Sequence, residues 1–164
     1  MVLCIQRMAT TSKLRSPVTH YLNVDLDIYS RYDLQPLVSR LGRKVSVLYV
    51  GRESKRYCAH LELANVTSSA NSTIHAFCRL IQALPKAELH LWNVATKRSF
   101  SVGVQAGETP TTCDFAIRAK TVKAVSEVAA EIVLTIYAPE QLTTSLTLRE
   151  QSPRPQATSS RPVS

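Results

Sequence analysis

Apolar and polar residues alternate from His20 to Tyr29: Leu22, Val24, Leu26 and Ile28 point one way, Asn23, Asp25, Asp27 and Tyr29 the other. A period of two is that of a half-buried strand. From Asp33 the period lengthens. Leu34, Leu37, Val38 and Leu41 fall at helical spacing, with Asp33 as cap, Pro36 in the first turn and Gly42 as a stop. Val45 to Val50 reads as a strand, 51–55 as a turn, and Arg56 to Ala64 as a second strand. In that second strand Tyr57, Ala59, Leu61 and Leu63 face opposite Cys58, His60 and Glu62, so the pair predicts a hairpin.

Ile74, Phe77, Cys78, Leu80, Ile81 and Leu84 form the strongest helical stripe, which Pro85 interrupts. Lys86 to Val94 predicts a short helix with Leu89 and Trp92 inward, and Arg98 to Gln105 a further strand. A closing unit runs from Cys113 to Ala138. Phe115 and Ile117 alternate with Asp114, Ala116 and Arg118; Val122, Val125, Val128 and Ala129 form a helical stripe capped by Thr121; and the β-branched run Glu131 to Tyr137 reads as a strand. This unit and the stretch Asn23 to Val50 correspond loosely, with Asp25-Leu26 and Ile28 against Asp114-Phe115 and Ile117.

Strand–helix–strand therefore occurs three times, and the first six elements match a split βαβ arrangement. The expected fold is an α+β two-layer sandwich: about six strands, mostly antiparallel or mixed, with the helices on one face because each has a single apolar stripe. The expected domain spans 20–139. Residues 1–19 read as a basic disordered leader, and 140–164, dominated by Thr, Ser, Pro, Gln and Arg, as a disordered tail.

Charge changes little in this picture. Lys and Arg number 20 against 12 Asp and Glu, a net +8. Residues 20–139 hold 14 of the bases and 10 of the acids, so the domain is only mildly basic. Arg43, Lys44, Arg52, Lys55 and Arg56 fall near the ends of the hairpin strands, where a phosphate backbone or an acidic partner is one reading. An RNA-reading sheet needs central aromatics, whereas this one carries three aspartates. There is no G-x-S-x-G, no G-x-x-x-x-G-K-[ST] and no G-x-G-x-x-G, so serine hydrolase and nucleotide-cradle chemistry lack their signatures. No stretch approaches the ~18–20 apolar residues of a membrane-spanning helix, and no membrane partner is expected.

The four cysteines, at 4, 58, 78 and 113, include no CxxC pair, which reads as a reducing, cytoplasmic setting. Asn65-Val66-Thr67 and Asn71-Ser72-Thr73 match the glycosylation pattern but follow no export signal. Cys58 and His60 share a strand face, and His75 and Cys78 a helix face. That set suggests zinc, but Cys78 points into the core and Cys58 away from it, so the four do not meet. Neither a metal nor a cofactor is expected.

The face turned away from the helices is the best-equipped surface. It carries Asp25, Asp27, Tyr29, Ser46, Cys58, His60, Glu62, Ser99, Ser101, Asp114, Arg118, Thr135 and Tyr137, with Leu48, Val50 and Val133 among them. Asp25, Asp27 and His60 form the acid–base candidate. Asp25, Asp27, Tyr29, His60, Glu62, Asp114, Arg118 and Tyr137, with Arg52, Lys55 and Arg56 of the hairpin, form the binding candidate.

In its extended VDLDIYS strand, its DLQPLVSRLG helix and its TVKAVSEVAAEIVLTIYAP helix–strand unit, the chain resembles small bacterial proteins of an uncharacterised domain family. Related architectures occur in immunity-type proteins that bind and block a toxin. The resemblance implies a binding protein and no catalytic residues. The leading expectation is thus a non-catalytic cytoplasmic protein that recognises a protein partner. A hydrolase or metal-assisted enzyme on the open face is the second reading, and nucleic-acid binding through the hairpin the third.

Overall fold

The computed structural model describes residues 18–65 and 69–139. The leader and tail expected at 1–19 and 140–164 lie outside the described residues, apart from Val18 and Thr19. Those two are tied to the 106–118 segment, Thr19 donating its backbone N–H to the Thr109 carbonyl. Five strands and four α-helices follow in the order β1 (His20–Ser30), α1 (Gln35–Leu41), β2 (Val45–Glu53), β3 (Arg56–Leu63), α2 (Ala70–Gln82), α3 (Lys86–Asn93), β4 (Lys97–Gln105), α4 (Ala119–Glu127) and β5 (Glu131–Tyr137).

The strands form one mixed sheet ordered β2-β3-β1-β4-β5. β1 runs antiparallel to both β3 and β4, β2 antiparallel to β3, and β5 parallel to β4. Helix α4 makes the crossover that a parallel pair requires. Val24, Leu26 and Ile28 of β1, Ala59 and Leu61 of β3, and Phe100 and Val102 of β4 face one side, in a single core with Leu37, Val38, Ile74, Phe77, Ile81, Trp92 and Val125 of the helices. The helical layer thus lies on one face, as the single apolar stripes require. Phe77 and Phe100 stack with ring centres 5.9 Å apart. Trp92 closes the far end, its indole N–H donating to the Val128 carbonyl at 2.9 Å.

Three local features depart from the simple alternation. In β1 the register shifts between Tyr21 and Val24, so Leu22 and Asn23 together oppose Gly103. This is a β-bulge. It turns Tyr21 onto the core and leaves Leu22 exposed, the reverse of the expected facing. Gly103 suits the bulge: a Cβ there would sit 2.8 Å from Asn23 Oδ1. In β2 a second shift sets Leu48 between Val47, which faces Leu61, and Tyr49, which faces His60. Leu48 is the extra residue, Tyr49 turns to the open face, and Val50 packs on the core instead of facing out.

The third departure is the missing sixth strand. Residues 113–118 form no strand, and Phe115 is 38% exposed. The threefold βαβ order is therefore replaced by β-α-β-β-α-α-β-α-β, and the correspondence between 23–50 and 113–138 fails at its first element. The cause is local. The Asn71 side chain donates to the Ala116 carbonyl at 2.8 Å and accepts from the Arg118 N–H at 2.9 Å and the Thr121 hydroxyl at 2.7 Å. It supplies the pairing that a neighbouring strand would have given, and ties the segment to α2. Arg118, rather than Thr121, stands at the N-cap of α4. Likewise Leu34, rather than Asp33, stands at the N-cap of α1; Asp33, one residue earlier, accepts from the Gln35 N–H at 2.9 Å.

Two substitutions separate these contributions. Phe100→Ala empties a fully buried site and should lower unfolding free energy by about 3–5 kcal/mol in urea titration. Asn71→Ala leaves three partners to water and should cost about 1–3 kcal/mol. In hydrogen exchange, its loss of protection should concentrate at 114–122.

Candidate functional site

The face opposite the helices is built by register. Asp27 of β1 lies between His60 of β3 and Ser99 of β4; Asp25 pairs with Ser101, and Tyr29 with Cys58. One strand further, Tyr49 pairs with His60, Gly51 with Cys58 and Ser46 with Glu62. On the other flank, Val133, Thr135 and Tyr137 of β5 pair with Ser101, Gly103 and Gln105.

Asp27 is the hub. Its Oδ1 lies 2.6 Å from His60 Nδ1, and its Oδ2 accepts from the Ser101 hydroxyl at 2.5 Å. The tautomer that donates from Nδ1 to Asp27 leaves Nε2 as the acceptor or ligand. Ser101 donates to the carboxylate and not to the imidazole. The three residues therefore do not form a serine-nucleophile relay, in which the histidine must stand between serine and acid.

A second cluster adjoins the first. The Asn23 amide donates to Asp25 Oδ1 at 2.9 Å and to Glu62 Oε1 at 2.6 Å, drawing the two carboxyls together. Burial, reinforced by the negative charges of Glu62 and Asp27, raises the Asp25 pKa to about 6. Asp25 is thus poised to exchange a proton near neutrality, while Asp27 holds the imidazole.

Aromatic rings frame these polar groups. Tyr29 meets the His60 ring edge-on at 5.7 Å, and Tyr49 lies 6.1 Å from it. The Arg56 guanidinium sits 4.2 Å from the centre of the Tyr29 ring. Burial and the Asp27 charge push the Tyr29 phenol pKa up, against the opposing pull of Arg56. Beneath them Cys58 is wholly inaccessible yet faces away from the core; burial, then its hydrogen bond to the Glu53 carboxylate, raises its thiol pKa.

Of the expected site residues, the fold brings together Asp25, Asp27, Tyr29, His60, Glu62 and Arg56. Tyr137 lies on the same face at the β5 edge. Asp114 and Arg118 do not join them: without a strand at 113–118, Asp114 lines a hollow beside Phe115, and Arg118 heads α4. The hairpin bases divide. Arg52 is paired with Tyr57 on the helix side, 5.8 Å from its ring, while Arg56 is on the open side and Lys55 in the turn. Arg43 and Lys44 precede the other end of β2, about 25–30 Å away along the strand. Cys78 is in the core and Cys58 on the opposite face, so the pair cannot share an ion, as the pattern implied. Val133 does face the open side.

Two participants escape a sequence reading. Tyr49 reaches the site only through the Leu48 bulge. Glu53 arrives through the tight turn after β2 and leaves no periodic signal. Alternation does place Asn23 on this face, but nothing in the pattern marks it as the link between Asp25 and Glu62.

The Asp25 pKa gives a signed pH effect. The folded carboxyl keeps its proton up to pH ~6, whereas the unfolded one loses it near pH ~4. Stability is therefore greatest below pH ~4 as far as this group is concerned, and falls as pH rises through ~6. Asp25→Asn should remove that fall and raise stability at pH 8 by about 1 kcal/mol after allowance for solvent screening, measured as paired urea titrations at pH 5 and pH 8.

Compared with protein-family models, with curated proteins and with solved structures, the chain gives no match in any of the three.

Proposed function

We propose that the open sheet face is a recognition surface for a protein partner, and that the chain is a non-catalytic binding protein. The observation that carries this reading is the pairing of chemistry with shape. Tyr29, Tyr49, Tyr137, His60 and Arg56 stand with three carboxylates on a face that no described helix covers. Aromatic and arginine side chains of this kind dominate binding energy when a partner dries them. None of the principal hollows among the described residues is lined by Asp25, Asp27 or His60, so a broad partner suits the surface better than an engulfed small substrate. The carboxylate cluster selects a partner that presents a basic protrusion. A cytoplasmic, immunity-like role, in which such a protrusion belongs to a toxin, is the specific form of this reading. The divided placement of the hairpin bases lends less support to a nucleic-acid partner, which needs a continuous basic track.

The test is cross-linking capture from the source cells with wild type and two variants, Asp25→Lys and Tyr49→Ala. A specific partner held by wild type should bind each variant at least tenfold more weakly, with the Asp25→Lys defect mostly in association rate. Equal capture by all three proteins refutes the assignment of this face.

A second reading, an acid–base enzyme, is favoured by the His60–Asp27 contact beside a carboxyl that titrates near 6. It expects hydrolytic turnover that falls 10²–10⁴-fold in Asp25→Ala and in His60→Ala. In that case wild-type kcat/KM should show a pH limb near 6 that Asp25→Ala abolishes.

A further inference from the structure

At the hairpin end of this face, one donor atom each from Glu53, Cys58 and His60 lies within 4.8 Å of the other two. We propose that these residues form a mononuclear site for a zinc-class divalent cation, with one coordination position left for water or a partner's side chain. The proposal goes beyond partner recognition and does not depend on it.

The sequence builds the cluster in two steps. Alternation along β3 puts Cys58 and His60 on the same face, two residues apart. The tight turn after β2 then brings Glu53 across, opposite Arg56 and diagonal to Cys58. Directly opposite Cys58 stands Gly51, so no cross-strand Cβ fills the space above the thiol. Tyr49 leans over that gap, with its hydroxyl 2.8 Å from where a Gly51 Cβ would be, and forms one wall; Tyr29 and Arg56 form another.

Three features distinguish this cluster from a chance meeting of polar residues. First, the histidine is already oriented as metal-binding histidines are. Asp27 holds Nδ1 at 2.6 Å, and Ser101 in turn holds Asp27, so the ring is fixed and Nε2 is left to bind. Second, Cys58 is a free thiol, fully buried on the polar face and outside the hydrophobic core, hydrogen-bonded to the very carboxylate that would be its co-ligand. Third, the distances are near those needed. Tetrahedral ligands at ~2.0–2.3 Å from zinc lie ~3.3–3.8 Å apart. Closing from 4.8 Å requires a shift of about 1 Å, which the exposed Glu53 side chain at the strand end can make. The donor set of thiolate, imidazole and carboxylate selects zinc and its neighbours over magnesium or calcium, which prefer oxygen alone. Thiolate and carboxylate together balance the dication.

Cobalt(II) titration of the chelator-stripped full chain tests the proposal, because thiolate ligation gives cobalt an intense near-ultraviolet charge-transfer band and tetrahedral geometry gives strong visible bands. Wild type should bind one cobalt with both signatures, and one equivalent of zinc should displace it. Cys58→Ser should lose the charge-transfer band, and Cys113→Ser should keep it. Asp27→Asn should retain the band while weakening affinity 10–100-fold, as loss of a ligand-orienting carboxylate does. Glu53→Gln should weaken affinity without removing the band. Should Cys58→Ser fail to fold, His60→Gln replaces it and should abolish tetrahedral binding. A wild-type chain without the thiolate band, or a band that survives Cys58→Ser, overturns the site. Neither result bears on partner capture, which Asp25→Lys probes separately.

Discussion

The pleat of β1 governs this molecule. As the central strand, bonded on both edges, it cannot shift its register without breaking two ladders. Its alternate residues are committed in opposite directions: Val24, Leu26 and Ile28 into the helices, Asp25, Asp27 and Tyr29 away from them. The apolar set provides the driving force, at roughly 1.5–3 kcal/mol for each large side chain removed from water. The polar set is then carried to the far face whatever its own preferences. His60, Glu62 and Ser101 are drawn alongside because β3 and β4 must match that pleat.

A regular period is a good guide in β1, β3, α1 and α2, but not throughout α4, where Val125 and Val128 are buried while Val122 and Ala129 of the expected stripe are exposed and Thr121 takes the buried place. The stripe Leu34-Leu37-Val38-Leu41 is buried, as is Ile74-Phe77-Cys78-Leu80-Ile81-Leu84 but for a half-buried Leu80, and the two-sidedness of β1 and β3 follows from alternation alone. It failed where one residue was inserted or one side chain intervened. A bulge leaves no mark in hydrophobicity until the partner strand is known, so alternation puts Leu22 and Val50 on the wrong faces and gives no sign of Tyr49. The segment 113–118 has a strand's alternation but meets Asn71 before it can meet a strand, and a polar side chain within a helix gives no such warning. Asp114 and Arg118 left the candidate site for that reason. Glu53 gives no sign in the sequence because its proximity to Cys58 depends on how tightly the hairpin turns.

The two edges of the sheet are finished differently. β2 carries a bulge and charged residues, devices that discourage pairing with another strand. β5 follows a parallel ladder, and its helix-side residues run beyond the cover of α4: Leu134 is 56% exposed and Ile136 65%. Beside it, a hollow of about 370 Å³ is lined by Tyr21, Ala70, Phe115, Ile117, Ile132 and Leu134. The division between the two faces thus holds over the middle of β3, β1 and β4, and lapses at this edge.

The polar face is costly to the fold. Holding Asp25 and Glu62 against one amide, with Asp27 nearby, raises a carboxyl to about 6, which means the fold works against its charged form. A sheet face needing only solubility is served by threonines and well-spaced lysines, without that conflict. A buried thiol beneath an oriented imidazole is equally unnecessary for packing, since alanine or valine fills such a place without a polar partner. Strain of this kind collects where a surface has to bind or react. Here the carboxylates, imidazole and thiol lie on β3 and β1, strands bonded to neighbours on both edges.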